Sequence, residues 1–475
     1  MHHKKLSHYL LQGVNALFVV AVFLLVWRRN HFTGFVQETP TLKPSDIIAL
    51  VLMTIALIGI ALFKDWRKTI EANRHFDHWL GPILVIIIGL LFGEIWARYI
   101  ANLPWSVSHL VDWARTATAL SFLGLTIFFC LNNPKNFNRL AYAFFGAVLL
   151  IPFLFIPTGD ILRGFFVVSP ASYNLLGFHN SVISLGNYLL IPLSLSAALF
   201  FHEKKYWKKS LWFILVILFL SLTLWPGSKG VWASAFLSLS FVAIMGGGYT
   251  KTSLQTLKRV ILIPILFITA FFILSPYAQH AVLAKISPTH DAQTGEVAAR
   301  LNLEMAKPSS FPLVLPGRDF SLSLSLVGQP SLIARGAPLR LSDSLIGDRL
   351  SIWKNYFQIL ITHPAGASLH YGDIFSFQNS YGQHLDTHST WLQIAVSGGV
   401  IALLAFITFI MKIFKGLYQK RQEFSTNPLF LGLAASFIGM LVSASFINAF
   451  EYRWWWVVVG LLIFYVTKEQ AREAA

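Results

Sequence analysis

Of the 475 residues, 55% are hydrophobic and 12% charged, and 37 Lys and Arg against 21 Asp and Glu leave a net charge of +16. A soluble domain carries about twice that charged fraction, which excludes a water-soluble globular fold. The basic excess does not read as a nucleic-acid surface, because no polar segment interleaves Lys and Arg with aromatic residues along one face. The single cysteine, Cys130, excludes an intramolecular disulfide.

Apolar runs of about 17–25 residues recur from end to end, each long enough to cross a bilayer as a helix. A helix satisfies its own backbone in hydrocarbon, so the expected class is an all-α polytopic membrane protein. The basic start Met1-His2-His3-Lys4-Lys5 leads into an apolar stretch with no small-residue cleavage site before Arg28-Arg29, so this stretch is read as an uncleaved first span. In chain order the spans fall near 10–27, 46–63, 80–103, 108–131, 140–157, 182–201, 210–225, 230–247, 259–275, 389–411, 428–447 and 454–467. Alternating these twelve from a cytoplasmic N-terminus puts 21 Lys and Arg in the inside segments and six in the short outside ones. That bias fits both termini inside. Trp454-Trp455-Trp456 would then form an aromatic belt at the outer interface.

The polar stretch 276–388 divides the chain. It makes one large periplasmic loop between spans nine and ten, with helices one to nine in 1–275 and ten to twelve in 389–475. Its first half is rich in Ser, Leu and Pro without helical period, and is expected to pack irregularly. Its second half contains a helix with Leu350, Trp353 and Phe357 on one face, stopped by His363-Pro364-Ala365-Gly366.

Cations on the outer side are few, so those present carry information. Arg163 lies in Ile161-Leu162-Arg163-Gly164, and Arg349 on the loop helix. Lys229 lies in Pro226-Gly227-Ser228-Lys229-Gly230, where free N–H groups of a helix start and the positive dipole end favour an anion. Arg offers a planar fork to phosphate oxygens and Lys a compact charge. His388, in Leu385-Asp386-Thr387-His388-Ser389-Thr390-Trp391, opens the tenth span. The dipole there disfavours imidazolium and keeps the ring able to accept a proton, with Asp386 or a backbone group fixing its tautomer. His384, Asp386 and His388 also space like metal ligands, without a second cluster to complete a site. Gly398-Gly399 is read as a close-packing point between helices. Glu94, Arg98, Asp112 and Arg115 fall toward the outer ends of spans three and four, where charges need partners; pairing between the two helices is expected, with a wall of the active cavity as the alternative.

Several of these segments together resemble the O-antigen ligase and O-antigen polymerase superfamily over residues 160–465. Ser228-Lys229-Gly230-Val231-Trp232 resembles a Ser-Arg-Gly segment opening a span, with Lys in place of Arg. Arg349-Leu350-Ser351-Ile352-Trp353 followed by His363-Pro364-Ala365-Gly366 resembles the family's Arg-x-x-x-Trp helix and His-Pro-x-Gly turn. His388-Ser389 with Gly399 resembles the ligase pattern, departing from it at Ala402. Gly177-Phe178-His179-Asn180 with Gly186-Asn187-Tyr188 is a fainter match.

The resemblance implies a glycosyltransferase of the bacterial inner membrane with its active site on the periplasmic side. It would move a glycan from undecaprenyl diphosphate to a lipid A-core hydroxyl, inverting the anomeric centre, without metal or cofactor. His388 would be the base, and Lys229, Arg349 and Arg163 would bind the diphosphate, with Ser228, Asp386 and Trp353 in support. A polymerase or a pilin glycosyltransferase would use the same donor with another acceptor. The expected partners are that donor, the glycan acceptor and membrane lipids, not nucleic acid. A secondary transporter is the competing class; it would show an internal two-fold repeat and helices interrupted near the bilayer midplane, and the sequence shows neither. A structural scaffold would leave the cation and histidine set without a role.

Overall fold

The computed structural model describes residues 2–26, 44–71, 76–104, 107–155, 182–224, 228–246, 253–273, 344–371 and 387–473. A helix lies over every one of the twelve apolar stretches: α1 His2–Phe23, α2 Pro44–Leu62, α4 Asp77–Tyr99, α5 Val107–Asn132, α6 Lys135–Phe155, α7 Val182–His202, α8 Tyr206–Leu224, α9 Lys229–Met245, α10 Ser253–Ile273, α12 Thr390–Gln419, α13 Pro428–Ala444 and α14 Arg453–Glu473. Two more are polar: α3 Lys64–Glu71 and α11 Ser344–Thr362. Six helices are long and apolar enough to cross a membrane, and the described fold is an all-helical membrane bundle. The polar stretches 274–343 and 372–386 lie outside the described residues.

Glycines and small residues set the closest helix contacts. A Cβ on Gly89 or Gly93 of α4 would overlap the Gly398 or Ser397 carbonyl of α12, so these helices meet backbone to backbone. Trp79 packs edge-on against Phe409, and Lys412 Nζ donates to the His78 carbonyl at 2.7 Å, so α4 and α12 run antiparallel. By the same reasoning α13 is antiparallel to α7 through Gly432 on Leu195 and His202 on the Phe424 carbonyl, and antiparallel to α9 through Gly230 on Phe446 and Ser238 on the Ala435 carbonyl. α1 and α6 run parallel, joined by Asn136 donating to Asn15 at 2.9 Å and by Gly146 against Phe23.

A buried ion pair ties the starts of α2 and α14. Arg453 (5% exposed) gives Asp46 (0% exposed) a two-pronged contact at 2.8 and 2.9 Å. Arg453 is therefore spent on structure. Trp454, Trp455 and Trp456 are also interior, against Tyr188, Phe437 and Phe450. The expected aromatic belt is corrected: Trp456 donates to the Phe450 carbonyl inside the bundle rather than facing the interface. On α11 the buried face carries Tyr356, Ile359 and Leu360, while Phe357 is 56% exposed.

α12 is not continuous. Gly399 stands at φ +78, ψ −178, and the expectation of no interrupted helix fails here. In an unbroken helix the Val400 N–H would bond the Val396 carbonyl. Instead Val400 donates to the Pro364 carbonyl at 2.9 Å, Ala367 donates to Val396 at 2.7 Å, and Ser368 donates to Ser397 at 3.2 Å. The segment after α11 thus supplies new partners for the Val396 and Ser397 carbonyls and the Val400 N–H. Gly398-Gly399 does more than bring helices close: it opens a slot that this segment fills.

Gly399→Ala is expected to destabilise the protein by about 2–4 kcal/mol, because a side chain at that φ is strained and overlaps the Pro364 carbonyl. Thermal unfolding in detergent checks this against Gly81→Ala, which meets nothing within 4 Å; equal midpoints for the two variants would refute the slot. Arg453→Met alone is expected to cost about 3–5 kcal/mol by stranding a buried carboxylate, and Asp46→Leu with Arg453→Met to recover most of it. The same unfolding measurement tests it, and a double variant no better than the single one counts against the pair.

Candidate functional site

His388 sits at φ +47, a left-handed conformation unusual for a residue with a side chain. It is exposed, whereas Thr387, Ser389 and Thr390 around it are buried. The turn after α13 holds it there. Asn448 Oδ1 accepts from Thr387 Oγ1 at 2.7 Å and from the Ser389 N–H at 3.0 Å, one bond on each side of the histidine. Thr390 Oγ1 donates to the Ile447 carbonyl at 2.8 Å and accepts from the Ala449 N–H at 2.7 Å. Ser389 caps α12 by accepting from the Leu392 N–H. Strain of this kind persists only where the surroundings over-determine it, and four bonds to residues 447–449 do so here.

Trp353 brings α11 to the same place. Its indole donates to the Thr387 carbonyl at 3.1 Å, and Tyr371 donates to Thr387 Oγ1 at 3.3 Å. Arg349 occupies the position one helical turn before Trp353. Lys229 is the exposed first residue of α9. Its neighbour Gly230 packs on Phe446, one residue from the carbonyl that holds Thr390, and Val231 packs on Gly186 of α7. Ser228 stands at the N-cap without a side-chain bond to the helix. The candidates Lys229, Trp353 and His388, with the backbone of Arg349, therefore meet at one end of the bundle, on elements joined by the 446–449 turn. Arg163, Asp386, His384 and the 177–180 segment lie outside the described residues.

The charged residues of α4 and α5 are arranged differently from expectation. Each helix neutralises its own: Arg98 pairs with Glu94 and Arg115 with Asp112, the latter at 3.0 Å. Histidines make the links between elements. Arg98 also donates to His109 Nδ1 at 2.8 Å, and because arginine only donates, the neutral ring carries its proton on Nε2. The His109 ring lies 3.9 Å from His370, whose Nδ1 is 3.6 Å from Asp112 Oδ2. Ser368 donates to the second Glu94 oxygen. This network anchors residues 368–370 on α4 and α5, next to the slot in α12.

Among the described residues no group of three or more His, Cys, Asp or Glu stands where it would hold a metal ion. Sequence reasoning missed Asn448, Thr387, Tyr371, Ser368 and His370. Asn448 and Thr387 carried no pattern, since their roles come from a turn 61 residues away in the chain. No family model and no curated protein matches the chain.

Asn448→Ala removes the acceptor from both flanks of His388. Amide hydrogen exchange at Ser389 is expected to accelerate about 10- to 100-fold, from the loss of one to two such bonds. Asn448→Asp keeps the acceptor and is expected to keep the protection; unchanged exchange in the alanine variant would show that the turn does not hold the histidine.

Proposed function

We propose that this protein is a bacterial inner-membrane glycosyltransferase that transfers a glycan from undecaprenyl diphosphate to a lipid A-core hydroxyl at the periplasmic face. One observation carries the reading. The segments that resemble the O-antigen ligase superfamily, remote in sequence, gather in two groups at one bundle end, Gly186 on Val231 in one and Trp353 on Thr387 with Pro364 on Val400 in the other, and the turn after α13 bridges them through Phe446 on Gly230 and Ile447 on Thr390. The relative directions of the helices agree with twelve alternating spans and both termini on one side, and the Lys and Arg bias of the sequence supports the cytoplasm as that side. On that path the His388 end faces the periplasm and residues 276–388 form the large outer loop.

The chemistry suits the side chains. A sugar hydroxyl needs a base as it attacks, and His388 stands exposed at the tip of the site to take its proton. The leaving lipid diphosphate gains negative charge, which Lys229, Arg349 and Arg163 neutralise. Attack from the face opposite the diphosphate inverts the anomeric centre. The interruption in α12 does not by itself favour a transporter: the Val396 and Ser397 carbonyls and the Val400 N–H are bonded to residues 364–368.

Purified protein given undecaprenyl-diphosphate-linked oligosaccharide is expected to glycosylate lipid A-core, in the presence of a chelator as well as without it. His388→Ala is expected to reduce transfer about 10²- to 10⁴-fold with folding retained, and Arg349→Ala about 10²- to 10³-fold. Near-normal transfer by His388→Ala would remove the base assignment. Longer lipid-linked chains without added core would make the protein a polymerase.

A further inference from the structure

We propose that the elbow between α7 and α8, at the opposite end of the bundle from His388, binds one anionic phospholipid with its phosphate on Lys209. The two ends are distinguished by α7 itself, which starts beside Val231 at Gly186 and finishes at His202 against the Phe424 carbonyl.

At this end α7 closes on two adjacent phenylalanines, and each ring carries a cation from a different helix. Lys209 Nζ of α8 lies 5.3 Å from the Phe200 ring centre, and the Arg259 guanidinium of α10 lies 5.1 Å from that of Phe201. Aromatic faces hold cations in place without neutralising them. Among the described residues no carboxylate pairs with Lys209, which is exposed and lines the elbow, whereas Arg259 Nη1 is buried away from it. The one acid of the elbow, Glu203, is turned instead to the Lys204 and Lys205 N–H groups, both at 3.0 Å. Lys204, Lys205 and Lys208 add three further positive charges within the same turn.

The elbow is also a groove. Phe200, Tyr206, Lys209, Ser210, Phe213 and Ile214 line it, polar at the Tyr206–Ser210 end and apolar beyond. Ile214 is 61% exposed and Phe213 36%, on the outer surface of a helix long and apolar enough to cross a membrane. Tyr206 and Trp207, 86% and 65% exposed, mark the level of the headgroups. A cationic mouth that continues into an apolar, bilayer-facing groove matches a diacyl phosphate ester, whereas a free phosphate would use only the mouth.

Native mass spectrometry of the full-length protein, with phosphatidylglycerol and phosphatidylcholine at equal concentration, tests this. One phosphatidylglycerol is expected to be retained in preference to phosphatidylcholine. Lys209→Ala should lower its occupancy about fivefold or more, the effect of one cation near an anionic headgroup. Lys204→Ala, which removes the same charge away from the groove, should change it little. Ile214→Trp, which fills the groove and keeps every cation, should also expel the lipid; unfolding midpoints establish that each variant is folded. Equal losses from Lys204→Ala and Lys209→Ala would mean diffuse attraction and overturn the site. So would retention in Ile214→Trp, lack of headgroup preference, or full displacement by inorganic phosphate.

Discussion

The break in α12 at Gly399 is the constraint on which the rest of this end of the protein depends. Backbone groups left unpaired inside a membrane cost several kcal/mol each, so a helix interrupted there must find other partners. Here the partners come from residues 364–368, which both give and accept the bonds that Val396, Ser397 and Val400 would have made within the helix. Gly366 takes φ +100 and Ser368 φ +80 to make that fit. Once the segment is seated, the positions of α11, Trp353 and the Thr387–Ser389 turn follow from it. The His-Pro-x-Gly turn and the Gly-Gly pair are two halves of one joint.

The charges near the joint act with it rather than apart from it. Glu94 and Arg98 neutralise one another, Ser368 donates to Glu94, and Arg98 also donates to His109 and to the Leu103 and Pro104 carbonyls. Buried charges in a helix bundle require such completeness. The result is a rigid floor under an exposed histidine. His388 owes its placement to bonds made by its neighbours, so the local strain at φ +47 is borne by the turn at 447–449 and not by the histidine's own side chain. A histidine held by its flanks leaves its ring exposed.

Much of this was legible in the sequence, and the misses have physical causes. Hydropathy located every apolar helix, because each must cover about 30 Å of hydrocarbon by itself. It misjudged Trp454 to Trp456, since an aromatic run near a helix start looks the same whether its rings face lipid or a neighbouring helix such as α13. Helical spacing put Trp353 and Phe357 on one face but gave no sign that Tyr356, one position away, is the buried residue, because neighbouring positions are poorly separated by periodicity. The motifs marked Lys229, Arg349 and His388. They gave no sign of Asn448 or Ser368, whose work is long-range hydrogen bonding by small polar residues that are common in any loop.

The sidedness of this end is what the functional proposal needs most, and single-cysteine labelling reads it directly. In a Cys130→Ser background, His388→Cys and Lys205→Cys would each be exposed to a membrane-impermeant maleimide in spheroplasts of an expressing bacterium. Labelling of position 388 in intact spheroplasts, with position 205 labelled only after lysis, is the expected result. Labelling of 205 in intact spheroplasts with 388 protected until lysis would put the site on the cytoplasmic side and contradict a periplasmic transferase.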